Sequence, residues 1–565
     1  MPLAASSPFR RYLAIALVAL LALAPLLYIV DRTEPARRNI VYWDEFDTAL
    51  AMLLRIAEKP DSNRFVSEML ALNNEHRMVT SRLLFASNYA ATGRINFDFI
   101  NFVGNLSLLG LIALLVVHAR TLPRRLAMLA VLAALFFQLE HYENFMWSGA
   151  SIDHFQVVLL AAAALVCVAR NTWPGIVGGA VFASLATFTL AHGIVTWAVG
   201  ALLLWRARNR AGLALWCGLA ALGLGGFFLG FQANQSHGFA TFSGAGVVLV
   251  IRYWLTLLGA VPALGNSAVA PWLGLVLLAV IVRLVRRNTL RHQPVAFALI
   301  LFALGALALI AVGRAQVSGG VIFSRYYVLG ATAWGMALYI VLTRYAHPRS
   351  LFLPLGWALP VLVVFNVAGN RAFSVAADSW VECRDRAAVR FLQHGADGRG
   401  SFTLHPRPEH STLLLKQAAR AGIYAMPPLC QEIPFPENAK PSTRLIYFVD
   451  DMTVNDRSVY VTGWAALRDV KSERHQIHLV LRNAQETHLF TTVTESRPDV
   501  AKATKQPSWE LSGFQFVRLR DRLPDGEFQI GFLIDGPDGP EFTMTAHRVD
   551  LTGEGKALLV TGGDN

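Results

Sequence analysis

This sequence of 565 residues contains a long stretch with no acidic residue. After Asp153, neither Asp nor Glu occurs again until Asp378. The residues between them are apolar, aromatic, small, polar but uncharged, or basic. Any chemistry that needs a carboxylate beside the apolar segments must therefore use acids from two short stretches, 31–98 and 140–153.

Charged residues are scarce throughout, at 16% of the chain, whereas hydrophobic residues make up 54%. A run of about 18 or more apolar residues is long enough to span a bilayer, and the sequence contains many such runs. The first, at 12–30, follows Arg10 and Arg11 and is longer than the core of a signal peptide, so we expect an uncleaved first span. The composition predicts a polytopic α-helical membrane protein.

The net charge of +12 does not indicate a nucleic-acid partner, because of where the basic residues lie. They cluster in short connections that contain no acid, at 120–125, 206–210, 283–291 and 344–349. Such clusters mark the cytoplasmic side of a membrane protein. The basic character is therefore explained by topology and by contact with membrane lipids.

A window of about 19 residues predicts about eleven spans. They lie at 12–30, 99–117, 126–139, 155–169, 175–191, 193–205, 213–231, 270–286, 295–312, 327–343 and 351–368. The predicted N-terminus is cytoplasmic, the C-terminal region periplasmic, and the location the bacterial inner membrane. The stretch 245–264 is apolar but carries Arg252, and we interpret it as a helix at the membrane surface.

Three regions follow from this pattern: a membrane domain at 1–370, an α/β connecting segment at 371–442 and a β-sandwich at 443–565. The membrane domain includes a long first periplasmic loop, 31–98, with surface helices. Alternating apolar and polar residues separated by Gly and Asp turns predict the sandwich. Cys383 and Cys430 fall outside the membrane, where they form either a disulfide or two separate thiols.

The candidate catalytic residues are Asp44, Glu45 and Asp47, immediately after the first span. Trp43 and Phe46 flank them, and aromatic residues anchor at the membrane interface. One interpretation is a general base that removes the proton of an attacking hydroxyl. The alternative is a solvated loop with aromatic anchors.

Other polar residues in the periplasmic loops are candidates for binding the acceptor or the donor. These are Glu75, His76, Arg77, Glu140, His141, Glu143 and His192. The spacing of Glu140, His141 and Glu143 matches no zinc signature, although carboxylates together with a diphosphate are compatible with a divalent cation. Each group also has an ordinary structural interpretation as a helix surface or a hydrogen-bonded loop.

Arg314 and Arg325 are both placed on the outer side, against the positive-inside trend. Arginine binds phosphate through two parallel hydrogen bonds, so a lipid-linked phosphate would explain this position. The alternative is that the side chains extend towards lipid headgroups.

The acidic motif after the first span, the long first loop, the number of spans and the soluble tail resemble the GT-C superfamily of glycosyltransferases. Its members include the protein mannosyltransferases and aminoarabinose transferases, which use polyprenyl-phosphate sugars. The resemblance covers about residues 10–370. It implies that an acid at Trp43-Asp44-Glu45-Phe46-Asp47, with Asp44 the first choice, acts as the base or positions the acceptor.

The resemblance further implies transfer with inversion from a polyprenyl-phosphate sugar to a cell-surface glycan, lipid or protein. Arg314 and Arg325 would then bind the lipid phosphate. Three alternatives stay open: a lipid-linked glycan flippase or transporter, a glycan polymerase, and a non-enzymatic envelope assembly protein. A coupled transporter would carry ionisable groups within its spans, and the predicted spans contain no Asp or Glu.

Overall fold

The computed structural model describes residues 8–232, 244–345, 352–398, 402–468, 470 and 476–552. Arg349 of the last basic connection and the predicted sandwich beyond 552 lie outside these residues. The chain divides into two compact units. One comprises Met1–Ala377 with Ala421–Tyr424, and the other comprises Asp378–Arg420 with Ala425–Asn565.

The first unit is helical. Its α-helices are α1 (Pro8–Thr33), α2 (Met52–Glu58), α3 (Ser62–Leu70), α4 (Val79–Thr92), α5 (Phe97–His118), α6 (Leu122–Phe136), α7 (Tyr142–Met146), α8 (Ser148–Ala150), α9 (Gln156–Val168), α10 (Trp173–Thr189), α11 (Val195–Arg206), α12 (Arg210–Phe228), α13 (Gly244–Gly259), α14 (Ala270–Arg286), α15 (Thr289–His292), α16 (Pro294–Arg314), α17 (Tyr327–Tyr345) and α18 (Phe352–His394). These helices are interrupted by two π-helical turns, Phe46–Ala51 and Ser151–Phe155, and by 3₁₀ turns at Leu139–His141, Ala191–Ile194 and Ser324–Tyr326.

The structure is that of a polytopic membrane protein with a C-terminal β region. Within the described residues, seven helices are long and apolar enough to cross a membrane, or eight if the pair Leu122–Phe136 and Leu139–Met146, bent by 59°, is one span. Each predicted span falls on a helix, but several are shorter than a full crossing. Residues 245–259 of the 245–264 stretch lie in α13, where Trp254 donates to Leu304 O at 3.1 Å and Leu258 O accepts from Trp334 at 2.8 Å. The position of this stretch at the membrane surface stays a prediction.

Helix boundaries follow local capping chemistry. The side chain of Asn96 accepts a hydrogen bond from Phe99 N at 3.0 Å and begins α5, and Asn209 similarly caps α12. Proline occupies the first turn of α6, α10, α14 and α16, where its missing N–H costs no helical bond. Gly259 and Gly274 let α13 and α14 approach closely, because a Cβ on either would overlap backbone atoms of the other helix.

The second unit begins within α18 and adds α19 (Pro408–Arg420), α20 (Pro498–Thr504) and ten strands. The strands are β1 (Glu432–Ile433), β2 (Lys440–Pro441), β3 (Leu445–Val454), β4 (Ser458–Leu467), β5 (Ile477–Arg482), β6 (Thr487–Thr491), β7 (Val493–Glu495), β8 (Gly513–Leu519), β9 (Glu527–Gly536) and β10 (Gly539–Asp550). They form one sheet in the order β1-β6-β5-β9-β10-β2 and another in the order β3-β4-β8-β7.

Aromatic residues join the two sheets. Phe514 of β8 packs against Phe532 of β9 with ring centroids 4.8 Å apart, and Phe490 of β6 packs against Phe516 at 5.6 Å. All four rings are fully buried. Alternate residues of β4 point inward and outward, which is the pattern that predicted a sandwich.

The disulfide between Cys383 and Cys430 is not formed, and each residue remains a thiol. Cys383 lies half-buried on α18, whereas Cys430 is buried against the sheet. The Cys430 Sγ lies 3.4 Å from Val517 N, which donates to it. Cys430 is therefore held in the sandwich core by its own backbone partner, and a disulfide requires both Cβ atoms to point towards each other.

Candidate functional site

A cavity of about 350 Å³ lies among the loops and helix ends of the helical unit. Its polar lining comes from the first loop, the start of the span that begins at Ser148, the α10–α11 turn and both ends of the α16–α17 connection. Those residues are Asp44, Asn74, Glu75, His76, Asp153, His154, His192, Arg314, Arg325 and Tyr326. Six of the sequence-predicted site residues are therefore brought together, although they are separated widely along the chain.

Asp44 lies on the cavity wall, at the start of the π-helical turn. Its backbone carbonyl accepts hydrogen bonds from the amide and the hydroxyl of Thr48, at 2.8 Å and 2.7 Å. Trp43 adopts a left-handed conformation with φ of 49°, which is unfavourable for a bulky side chain and often occurs at functional sites. Asp47 donates its amide to Asp44 O at 3.2 Å, but it is not among the cavity-lining residues.

Glu45 is not among the cavity-lining residues, and it joins two segments of the chain. Its carboxylate accepts hydrogen bonds from Tyr42 N at 2.8 Å, from Gly149 N at 2.7 Å and from the Ser148 hydroxyl. The side chain is buried, and burial raises the pKa of Glu45 to about 7, against the opposing effect of these hydrogen bonds. Glu45 therefore connects the first loop to the segment that begins at Ser148, and its catalytic role stays a prediction.

Glu75 and His76 line the cavity on one side, in a turn that begins with left-handed Asn74. The His76 Nδ1 accepts from Ala191 N at 3.1 Å, and its Nε2 lies 3.6 Å from Glu75. Burial is the main reason that the pKa of His76 is lowered. Arg77 points elsewhere, and its guanidinium donates to the carbonyls of Leu70, Phe227 and Leu229.

The two arginines line the same cavity, each beside one carboxylate. Arg314, in the last turn of α16, donates to Glu75 at 2.9 Å. Arg325 donates to Glu143 from its guanidinium at 3.1 Å and from its backbone nitrogen at 2.9 Å. The Arg325 guanidinium also lies over the ring of Phe323, 4.5 Å from its centroid. Glu143 therefore acts on the cavity through Arg325.

Glu140 and His141 lie outside the cavity. Both side chains are fully buried, and His141 Nε2 is 3.4 Å from Glu140 and 3.1 Å from Leu135 O. Within the described residues, neither carboxylate oxygen of Glu140 has a hydrogen-bond partner. This pair is a buried ionisable group inside the helical unit, separate from the cavity residues.

Sequence reasoning did not select Asp153, His154 or Tyr326 as site residues. Asp153 and His154 sit on the π-helical turn Ser151–Phe155, and Asp153 accepts a hydrogen bond from the Ser81 hydroxyl. The predicted span begins only at 155, whereas the helical segment begins at Ser148. An inserted π turn re-aims side chains and is frequent at functional sites, but it has no sequence signature.

The described part of the chain contains no group of three or more His, Cys, Asp or Glu side chains arranged to hold a metal ion. Glu75, His76 and Asp153 instead bond to separate neighbours, namely Arg314, Ala191 N and the Ser81 hydroxyl. A divalent cation shared with a bound phosphate stays a prediction.

Comparisons with known proteins give little further guidance. No family model matches the chain, and no curated protein matches it. A crystal structure of the Archaeoglobus fulgidus oligosaccharyltransferase in complex with zinc and sulfate is similar at a TM-score of 0.33 and 14% identity. The similarity covers 76% of this chain and 59% of that chain. At this TM-score, the similarity does not assign a family.

Proposed function

We propose that this protein is a membrane glycosyltransferase that moves a sugar from a polyprenyl phosphate to an acceptor on the periplasmic side of the bacterial inner membrane. The acceptor classes are a cell-surface glycan, a lipid or a protein. The observation that carries the proposal is the meeting of Asp44, Arg314 and Arg325 in one cavity, since these residues come from distant parts of the sequence.

The arginines are suited to holding the lipid phosphate. A guanidinium has five N–H donors, and the ion pairs with Glu75 and Glu143 use only some of them. Arg325 is further fixed by its contacts with aromatic rings, so little side-chain freedom is lost when an anion binds. The flanking carboxylates position the two arginines before the donor arrives.

Part of the cavity lining is apolar, as an isoprenoid chain requires. It comprises Phe227 and Phe228 at the end of α12, Phe231 just beyond it, and Leu309 and Ile310 of α16. Phe228 and Leu309 are exposed on the helical unit, which places apolar surface beside the polar residues. A ligand with a charged head and a hydrocarbon tail matches this division.

Asp44 supplies the general base in the proposed reaction. The acceptor hydroxyl attacks the anomeric carbon while its proton passes to the Asp44 carboxylate. The bond between that carbon and the phosphate oxygen breaks, the configuration inverts, and the polyprenyl phosphate leaves with its charge stabilised by Arg314 and Arg325.

The test is a deletion strain complemented with the wild type, Asp44→Asn or Glu58→Gln. Glu58 is an exposed acid of the same loop and does not line the cavity. We expect the deletion to remove a sugar from the surface glycans or glycoproteins, measured by mass spectrometry. Glu58→Gln should restore that sugar, and Asp44→Asn should not, despite normal expression and folding. Full restoration by Asp44→Asn would refute the role of Asp44 as base.

A second candidate function, transport of a lipid-linked glycan, is favoured by one observation. Glu140 and His141 form a buried ionisable pair inside the helical unit, and such residues often belong to transport pathways. Transfer in detergent separates the two functions, because transport needs a membrane and glycosyl transfer does not. Sugar transfer by purified protein would exclude a purely transporting role, and its absence alongside lipid translocation in vesicles would favour transport.

A further inference from the structure

Two cavity histidines have no part in the proposed proton transfer or phosphate binding. His154 and His192 are 8% and 5% exposed, and both line the cavity. Their rings are stacked, with centroids 6.3 Å apart and planes at 20°. Within the described residues, His154 Nδ1 and His192 Nε2 have no hydrogen-bond partner.

Such atoms point to a ligand or to ordered water, because leaving a buried polar atom without a hydrogen-bond partner is unfavourable. Two of them occur on adjacent rings in one cavity wall. A purely structural histidine normally finds a backbone partner, as His76 does with Ala191 N at 3.1 Å. The pair therefore presents hydrogen-bonding groups that a ligand can use.

The ring of Tyr326 contacts both His154 and Arg325, and so connects the histidines to the proposed phosphate site. Tyr326 contacts His154 edge to face, with centroids 5.6 Å apart. The guanidinium of Arg325 lies 5.2 Å from the centroid of the same Tyr326 ring. A group bonded directly to a phosphate on Arg325 would consequently reach the histidine pair.

The chemistry of the pair favours uncharged hydroxyl groups. Burial lowers the pKa of His192 to about 3, so its imidazole stays neutral at physiological pH. A neutral imidazole offers one donor and one acceptor, and a hydroxyl can satisfy both. An ionised sugar carboxylate can only accept hydrogen bonds, so it leaves the acceptor nitrogen of each neutral imidazole unsatisfied, and its charge is better matched on the arginine side of the cavity.

We propose that His154 and His192 bind hydroxyl groups of the donor's glycosyl ring, and that they select a neutral hexose over a uronic acid. This inference rests on the proposed function, because it takes the donor to be a polyprenyl-phosphate sugar. It adds a subsite for the sugar that is separate from the phosphate site.

The test measures binding to the purified full-length protein in detergent. The probes are undecaprenyl phosphate, its glucose, mannose and galactose conjugates, and its galacturonic acid conjugate. We expect the wild type to bind at least one hexose conjugate more tightly than the bare lipid phosphate. His154→Phe and His192→Phe should each lower the affinity for that conjugate about 3- to 10-fold, as expected for one lost hydrogen bond. Their affinity for undecaprenyl phosphate should not change.

Three further variants make the outcome decisive. His118→Phe, an exposed position at the end of α5, should bind every probe as the wild type does. His192→Gln keeps one donor and one acceptor and should retain part of the sugar preference even if His192→Phe folds poorly. Arg325→Leu should lose binding of both undecaprenyl phosphate and its sugar conjugates.

The contrary results separate this inference from the proposed function. If the histidine variants bind all probes as the wild type does while Arg325→Leu loses them, the sugar subsite is refuted and the phosphate site stands. Tighter binding of the galacturonic acid conjugate than of any hexose conjugate would also refute the subsite. If the wild type binds none of the probes, the proposed function fails and this inference fails with it.

Discussion

Glu143 holds Arg325 through both of its carboxylate oxygens. One oxygen accepts from the Arg325 backbone nitrogen at 2.9 Å, and the other accepts from the guanidinium at 3.1 Å. The two residues are 182 positions apart in the sequence. This contact ties α7 to the 3₁₀ turn before α17 and fixes the direction of the arginine at the cavity wall.

Glu143 therefore acts as a positioning residue. In Glu143→Gln, we expect kcat for glycosyl transfer to fall roughly tenfold, or about 1.4 kcal/mol, because the uncharged amide keeps only one acceptor oxygen and holds the guanidinium less firmly. The affinity for undecaprenyl phosphate should stay the same or increase, since a negative charge beside the anion is removed. Steady-state kinetics and direct binding measure the two quantities. Unchanged kcat with weaker lipid binding would contradict this role.

Glu45 predicts a specific dependence of stability on pH. Burial raises its pKa from an ordinary value of 4.5 to about 7. Between these values, the folded state keeps a proton that the unfolded state has lost, so stability should fall as pH rises, by up to about 1.4 kcal/mol per pH unit. Above pH 7, the contribution of Glu45 to the free energy of unfolding should no longer change with pH.

The measurement is the melting temperature of the wild type and Glu45→Gln in detergent from pH 5 to 8. The pKa of His76 is lowered from its ordinary value of 6.5, so below that pH His76 makes stability rise with pH. Both proteins contain His76, so its effect is common to them. The difference between the two melting temperatures thus isolates Glu45. A difference that does not change between pH 5 and 7 would be inconsistent with a raised pKa.

Arg77 should stabilise the helical unit. Its guanidinium donates to three backbone carbonyls, those of Leu70, Phe227 and Leu229, and so joins the first loop to the end of α12. Arg77→Leu leaves these carbonyls without a charged donor, and we expect a loss of roughly 2–4 kcal/mol and a melting temperature lower by several degrees. Arg64→Leu, which removes a more exposed arginine of the same loop, is the matched control. Equal melting temperatures for the two variants would contradict the structural role of Arg77.

The sequence predicted the helices well and the detailed site only partly. Apolar run length is a local property, so each predicted span coincides with a helix. Asp44 lines the cavity, whereas Glu45 does not. The sequence does not reveal this difference, because it depends on hydrogen bonds from Gly149 and Ser148, which lie far from Glu45 in the chain. The contribution of His154 depends on a π-helical turn that periodicity does not reveal.

The choice between a disulfide and two thiols at Cys383 and Cys430 was also beyond the sequence. Two cysteines outside the predicted spans gave a plausible pair, but pairing depends on the distance and direction of their Cβ atoms. Cys430 belongs to the core of the sandwich, where Val517 N donates to its sulfur. Cysteine counting gives no information on such packing.

The predicted orientation places the β unit on the periplasmic side and the basic connections in the cytoplasm. Gln485 is exposed at the turn between β5 and β6, and Arg287 is exposed at the end of α14, so single cysteines at these positions report the two sides. In a variant lacking the four native cysteines, an impermeant maleimide applied to intact spheroplasts should label Gln485→Cys. It should label Arg287→Cys only after lysis, and labelling of both after lysis shows that each site is reactive. The reverse pattern would invert the topology and place Asp44 and the cavity on the cytoplasmic side, where periplasmic transfer could not take place.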